Sequence, residues 1–109
     1  MAFSFKKREI FKTEVTVPVP NDQGGVDENT FVAHFKHASS AEVKSLREVS
    51  DAEVVRKQLV GWEMVDEDTK QPVPYSEEAR DAVLSVASAP YHIGLAFYRA
   101  LSGGRAKNS

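Results

Sequence analysis

The chain has 109 residues, of which 41% are hydrophobic and 28% charged, so it is long enough for one hydrophobic core but too short for two. It has no cysteine, which excludes a disulfide framework, zinc–thiolate clusters and thiol catalysis. Its formal net charge is −2. No apolar run approaches the roughly 20 residues that span a bilayer, and residues 1–12 lack the apolar core of a secretion signal. We therefore expect a cytoplasmic protein.

The first third of the chain is predicted to form β-strands. Residues 11–19 alternate between two sets of side chains, the period-two pattern of a half-buried strand. Pro18 places the end of this strand at a sheet edge, because proline has no N–H to donate. A second alternating run covers residues 31–36, after a glycine-containing loop at 21–29. We therefore expect an antiparallel hairpin, with an extension by residues 3–8 left open.

Two short helices are expected next. Ser39–Glu42 and Ser50–Glu53 both match the capping box, in which a serine covers a free amide and a glutamate three residues later returns the bond. The residues expected to be buried are Val43 and Leu46 in the first helix, and Val54 or Val55 with Leu59 in the second.

The segment after the second helix combines a helix end, an acidic loop and a new helix start. Gly61 is a typical helix terminator, which places Trp62 where the chain turns. Prolines at 72 and 74 favour an extended path, and Ser76, followed by two glutamates, is a good helix cap. A third helix is predicted from residue 77 to about residue 86. It is expected to bury Ala79, Ala82, Val83 and Val86.

A fourth helix is predicted over residues 90–101. Ile93, Phe97 and Leu101 lie on one face, and Tyr91, Leu95 and Tyr98 on another. Because both faces are apolar, the helix is either enclosed in the core or shared with a partner or a second copy. The tail at 102–109 has little apolar content and is expected to be disordered. The sequence thus predicts one α+β domain over residues 1–101, with an N-terminal antiparallel hairpin or small sheet followed by about four short helices.

The sequence shows no pattern typical of an active site or cofactor site. His34, His37 and His92 are too few and too scattered for a metal site, and the acidic loop lacks the glycine and final glutamate of a calcium loop. The pairs Gly24-Gly25 and Gly103-Gly104 lack the lysine and the serine or threonine that make a phosphate loop. We therefore predict a protein that is not an enzyme and has no cofactor.

Charge is unevenly distributed, with basic residues concentrated in 1–12 and acidic residues in 63–81. This pattern indicates either a contact between oppositely charged partners or a solvated surface with a mobile basic tail. Aromatic residues alternate with the basic ones near the N-terminus, as in some proteins that bind single-stranded nucleic acid. However, the sequence pI of about 5.9 argues against nucleic acid as a partner.

One family resemblance rests on the blocks LVGWE at 59–63 and PVPYSEEA at 72–79, and on the apolar helix after Pro90. It extends more weakly to VAHFKHASSAEV at 32–43. In these residues the chain resembles the lambda-like tail assembly chaperones of long, non-contractile-tailed phages and prophages. Two departures are Met64, where the family usually has glycine, and a looser spacing between Leu84 and Pro90.

The resemblance implies a role in assembly in the host cytoplasm, outside the finished virion. Such chaperones bind the helical tape measure protein, keep it soluble and help to recruit tail tube protein. A longer form often arises by ribosomal frameshifting, and Ala106, Lys107 and Asn108 are compatible with a slippery adenine run. The candidate contacts are Trp62, Tyr91, Phe97 and Tyr98, because desolvated aromatic residues dominate interface energies. Self-association through the fourth helix is a further expectation. The alternative is a small bacterial adaptor or regulatory interaction module.

Overall fold

The computed structural model describes residues 9–103 and confirms the α+β class. Its elements, in chain order, are β1 (Ile10–Pro20), β2 (Val26–Lys36), α1 (Ser40–Leu46), α2 (Asp51–Gln58), β3 (Leu59–Glu63), α3 (Glu77–Leu84) and α4 (Ala89–Leu101). The three strands form one antiparallel sheet in the order β1-β2-β3. The possible strand at 3–8 and most of the expected disordered tail lie outside the described residues.

The predicted hairpin is present, and its second strand begins earlier than expected. The side chain of Asn21 closes the turn, because its Oδ1 accepts hydrogen bonds from the N–H groups of Gln23 and Gly25 at 3.0 and 2.9 Å. Gly24 adopts a positive φ of 85°, a conformation that glycine takes without steric cost. Since the turn occupies so few residues, strand pairing begins at Val26 rather than after a long loop.

The third strand replaces the helix end that was predicted around Gly61. α2 stops at Gln58, whose side-chain amide donates to the carbonyl of Lys36 at 3.0 Å, and the chain then pairs with the second edge of β2. Gly61 stands opposite His34, where an added Cβ would lie only 3.1 Å from the histidine Nδ1. Glycine is therefore favoured here by the close approach of the two strands, because a larger residue would require the His34 ring to shift. The prediction that Gly61 terminates a helix was wrong.

The helix caps follow the sequence closely. Ser39 and Glu42 form the full capping box, with hydrogen bonds of 3.2 and 2.7 Å. Ser50 caps α2 by accepting from the N–H of Glu53 at 3.2 Å, although the Glu53 carboxylate lies near two basic side chains of the same helix instead of returning the bond. Ser76 accepts from the N–H of Ala79 at 3.0 Å, so α3 begins where it was predicted.

α3 is shorter than expected and buries a different residue. It ends at Leu84, because the N–H and the hydroxyl of Ser85 both bond back to Ala82, the hydroxyl at 2.6 Å. Leu84 is buried, whereas Ala82 is exposed, contrary to the predicted set. A tight turn then leads to α4, which has Pro90 in its first turn.

The hydrophobic core lies between one face of the sheet and the helices. Phe97 of α4 packs against Phe35 and Phe11 of the sheet, with ring centroids 5.1 and 6.0 Å apart. The residues buried in the core are Val15, Val17, Phe31, Ala33, Phe35, Leu46, Val54, Val55, Leu59, Trp62, Leu84, Ala89, Ile93 and Phe97. Within residues 9–103, no helix has both the length and the apolar character needed to cross a bilayer.

Replacing Phe97 with alanine should destabilise the fold by about 3–5 kcal/mol, because it leaves a cavity in a fully buried aromatic cluster. Urea unfolding would measure the change. Tyr91→Ala on the same helix is the control and should change stability by less than about 0.5 kcal/mol, since the Tyr91 side chain is exposed. Equal unfolding midpoints for the two variants would contradict this core assignment.

Candidate partner-binding surface

The four aromatic residues predicted as partner contacts occupy different environments. Trp62 and Phe97 are core residues, with 7% and 0% of their surface exposed. Tyr91 is 56% exposed, and Tyr98 is partly buried against the core. The structure does not bring the four together as one patch, and in this fold only Tyr91 and part of Tyr98 are accessible to a partner.

Trp62 connects the sheet to the chain that precedes α3. Its indole ring makes edge-to-face contacts with Phe31 and Tyr75, with centroids 5.9 and 4.9 Å apart. Its Nε1–H donates to the carbonyl of Val73 at 2.8 Å. The ring thus fills the end of the core while its polar edge fixes the backbone of a separate segment.

The segment held by Trp62 is an irregular hairpin at residues 64–73, which we call the acidic arm. The N–H of Val73 donates to the carbonyl of Met64, and the N–H of Asp66 to the carbonyl of Gln71, both at 2.8 Å. At the tip, the N–H groups of Thr69 and Asp68 donate to the Asp66 carboxylate and lower its pKa. The arm is therefore an ordered structure, with its acidic side chains at a closed turn.

Tyr75 and Ser76 complete the connection to the helices. The Tyr75 hydroxyl donates to the carbonyl of Leu59 at 3.0 Å, and the next residue caps α3. The blocks at 59–63 and 72–79 are thus joined by two side-chain hydrogen bonds, one from Trp62 and one from Tyr75. Neither bond could be predicted from sequence patterns, because each joins residues that are more than ten positions apart.

An open groove of about 610 Å³ lies beside Trp62, between the end of the sheet and the acidic arm. Val32 and Glu63 line its sheet side, and Pro72 and Pro74 line its arm side. A second open groove, of about 600 Å³, lies between β2 and the first two helices. The described residues contain no group of three or more histidine, aspartate or glutamate side chains placed to hold a metal ion.

The outer face of α4 consists of Tyr91, Leu95 and Tyr98, which are spaced so that they lie on one side of the helix. Tyr91 is exposed, and Leu95 is partly exposed without packing on the core. Arg47, at the end of α1, lies over the Tyr98 ring at 4.8 Å from its centroid. Within residues 9–103 the buried Tyr98 hydroxyl has no hydrogen-bond partner. Among the predicted contact residues, those on this face offer the most apolar surface that a partner can reach.

The sheet surface opposite the core is polar. Glu63 accepts from Lys12 Nζ at 2.9 Å and lies 2.9 Å from His34 Nε2. The hydrogen bonds from Lys12 and then from His34 are the main reasons that the pKa of Glu63 is lowered. His34 therefore belongs to a polar cluster with Lys12 and Glu63. His37 packs against Phe11, and His92 lies next to Tyr91.

Comparisons with protein-family models, curated proteins and solved structures each found no match.

Trp62→Phe should destabilise the acidic arm, because it keeps an aromatic ring in the core but removes the donor to Val73. We expect a loss of about 1–3 kcal/mol and faster amide exchange at Asp66 and Val73 than in the wild type. Tyr75→Phe is the variant for comparison with Trp62→Phe, because it removes the other hydrogen bond between the two blocks, from the Tyr75 hydroxyl to the carbonyl of Leu59. Unchanged protection across residues 64–73 in Trp62→Phe would show that the indole bond does not hold the arm.

Glu63→Gln should reduce the loss of stability on acidification. Because the folded-state pKa of Glu63 is lowered, its carboxylate stabilises the fold above the unfolded pKa of about 4.3, and this contribution is lost as the pH falls through the folded value. Urea midpoints at pH 7, 5 and 3 would therefore fall less for Glu63→Gln than for the wild type. Glu67→Gln, on the exposed arm, is the control and should follow the wild type.

Proposed function

We propose that this protein is a phage tail assembly chaperone that acts without catalysis. It binds the tape measure protein and helps to recruit tail tube protein, the latter through a longer form made by frameshifting. It works in the host cytoplasm and is absent from the finished virion. These roles come from the resemblance of residues 59–63, 72–79 and 90–101 to that family.

The observation that carries this proposal is that two of the three resembling blocks, at 59–63 and 72–79, form one structural unit. Trp62 in the first block donates to the carbonyl of Val73 in the second, and Tyr75 in the second donates to the carbonyl of Leu59 in the first. Ser76 then caps α3. Residues of the two blocks thus support a single local structure, which gives a physical reason for their occurrence in this order.

The outer face of α4 is the surface that we assign to the tape measure protein. A helical tape measure protein exposes apolar side chains until the tube covers it, and an apolar helix face can shield such side chains reversibly. Tyr91 and Leu95 supply that apolar contact. Arg47 lies over the Tyr98 ring and Arg99 is in the last turn of α4, so a partner helix with acidic residues beside its apolar stripe would fit best.

Co-expression with the tape measure protein of the same genome, followed by a pull-down, tests the proposal. The wild type should keep the tape measure protein soluble and retain it. Tyr91→Ala and Leu95→Ala should weaken retention, by about 30-fold for a central aromatic contact. Val65→Ala is the matched control, because Val65 is an equally exposed apolar residue on the acidic arm.

Two results would contradict the proposal. If the folded wild type and its longer form both fail to retain the tape measure protein, the adaptor interpretation gains support. If Val65→Ala weakens binding and the α4 variants do not, the contact lies on the arm rather than on α4. The gene sequence tests the frameshift separately, since a slippery run at codons 106–108 must be followed by an overlapping reading frame.

A further inference from the structure

Among residues 9–103, the first strand pairs with another strand along only one of its edges. The hydrogen bonds from His37 to Glu9 and from Asn21 to Gly25 show that the odd-numbered residues of β1 bond to β2. The even-numbered residues therefore direct their N–H and C=O groups away from the sheet. Within residues 9–103, no other strand pairs with this side of β1.

Two prolines limit the length of this edge. Pro18 and Pro20 occupy even positions, so the missing N–H groups are on the free side. The carbonyl of Pro18 already accepts a hydrogen bond from the hydroxyl of Ser88 at 2.6 Å. Among the described residues, the open part of the edge consequently runs from Ile10 to Thr16, with an N–H and a C=O directed outward at each even-numbered residue.

We propose that this edge pairs with the same edge of a second copy. The two β1 strands run antiparallel about a two-fold axis at Thr13, and the two sheets join into one of six strands. The four even residues of each strand then exchange about eight backbone hydrogen bonds. This interface differs from the α4 surface that the sequence suggested for self-association, and it does not rest on the proposed chaperone function.

The charges on the edge select this register. With the axis at Thr13, Lys12 lies opposite Glu14 of the partner subunit, and Glu14 lies opposite Lys12 of the partner subunit. Lys12 also donates to Glu63 of its own sheet at 2.9 Å, so in the dimer its ammonium group lies between the two carboxylates. Sliding the strands by two residues in either direction places Lys12 opposite its own copy or Glu14 opposite its own copy. Like charges directly opposed destabilise strand pairing, whereas opposite charges stabilise it. Charged residues normally protect an edge strand from pairing, but here their order makes the edge self-complementary.

The two faces of the sheet also suit the joined structure. Phe11, Thr13 and Val15 point toward the core, and the first two of them are partly exposed at the edge. Pairing about Thr13 places Phe11 opposite Val15 of the partner subunit, so the apolar face continues across the axis.

Charge exchange tests the register by sedimentation of the full chain. Glu14→Lys and Lys12→Glu should each weaken the homodimer about tenfold, because each places like charges opposite each other twice. A mixture of the two variants should form a heterodimer, since every opposed pair is again of opposite sign. Glu28→Lys, which changes an exposed residue of β2, is the control and should dimerise like the wild type.

A cysteine placed on the axis tests the geometry directly, because the natural chain has no cysteine. Thr13→Cys should form an intermolecular disulfide on mild oxidation, since opposed residues in a non-bonded pair lie about 4.5 Å apart at Cα. Thr16→Cys should not, because its two copies would lie about 20 Å apart along the strands. A monomer at all concentrations, or equal crosslinking of both variants, would overturn the proposal. Loss of tape measure binding would not, because that binding is assigned to α4.

Discussion

The hydrogen bond from the Trp62 indole to the carbonyl of Val73 links the two halves of the molecule. On one side of it lies the three-stranded sheet, and on the other lies the chain that leads into α3 and α4. Met64 and Val73, at the base of the acidic arm, pack against the core, and the indole bond fixes the arm's backbone at that point. Because Trp62 is itself fixed by the aromatic cluster, the core determines where the later helices begin.

Features that depend on neighbouring residues could be predicted from the sequence. The alternation of residues 11–19 and 31–36 predicted the hairpin, and Ser39, Ser50 and Ser76 predicted three helix starts. β3 could not be predicted in the same way. Its residues include a glycine and are few, and they form a strand only because β2 offers a second edge at that point. The acidic arm likewise depends on a distant contact, the hydrogen bond from Trp62 to Val73, eleven residues later.

The candidate contacts show the same limit. Phe97 and Tyr98 are adjacent and similar, and the pattern of α4 placed apolar residues on both of its faces. Only the position of the sheet decides that Phe97 points into the core while Tyr91, on the outer face, stays exposed. Sequence could therefore identify an unusual helix but not which of its sides a partner can reach. The outer face of α4 and the free edge of β1 are formed by different residues.

Trp62 is the only tryptophan in the chain, and it lies where the sheet meets the acidic arm. Its intrinsic fluorescence therefore originates from one structural junction, with no background from other indoles. Opening of the arm would expose this ring to water and shift its emission to longer wavelength, while separation of the helices elsewhere would leave it largely unchanged. Trp62 emission thus reports whether the acidic arm is closed against the end of the sheet.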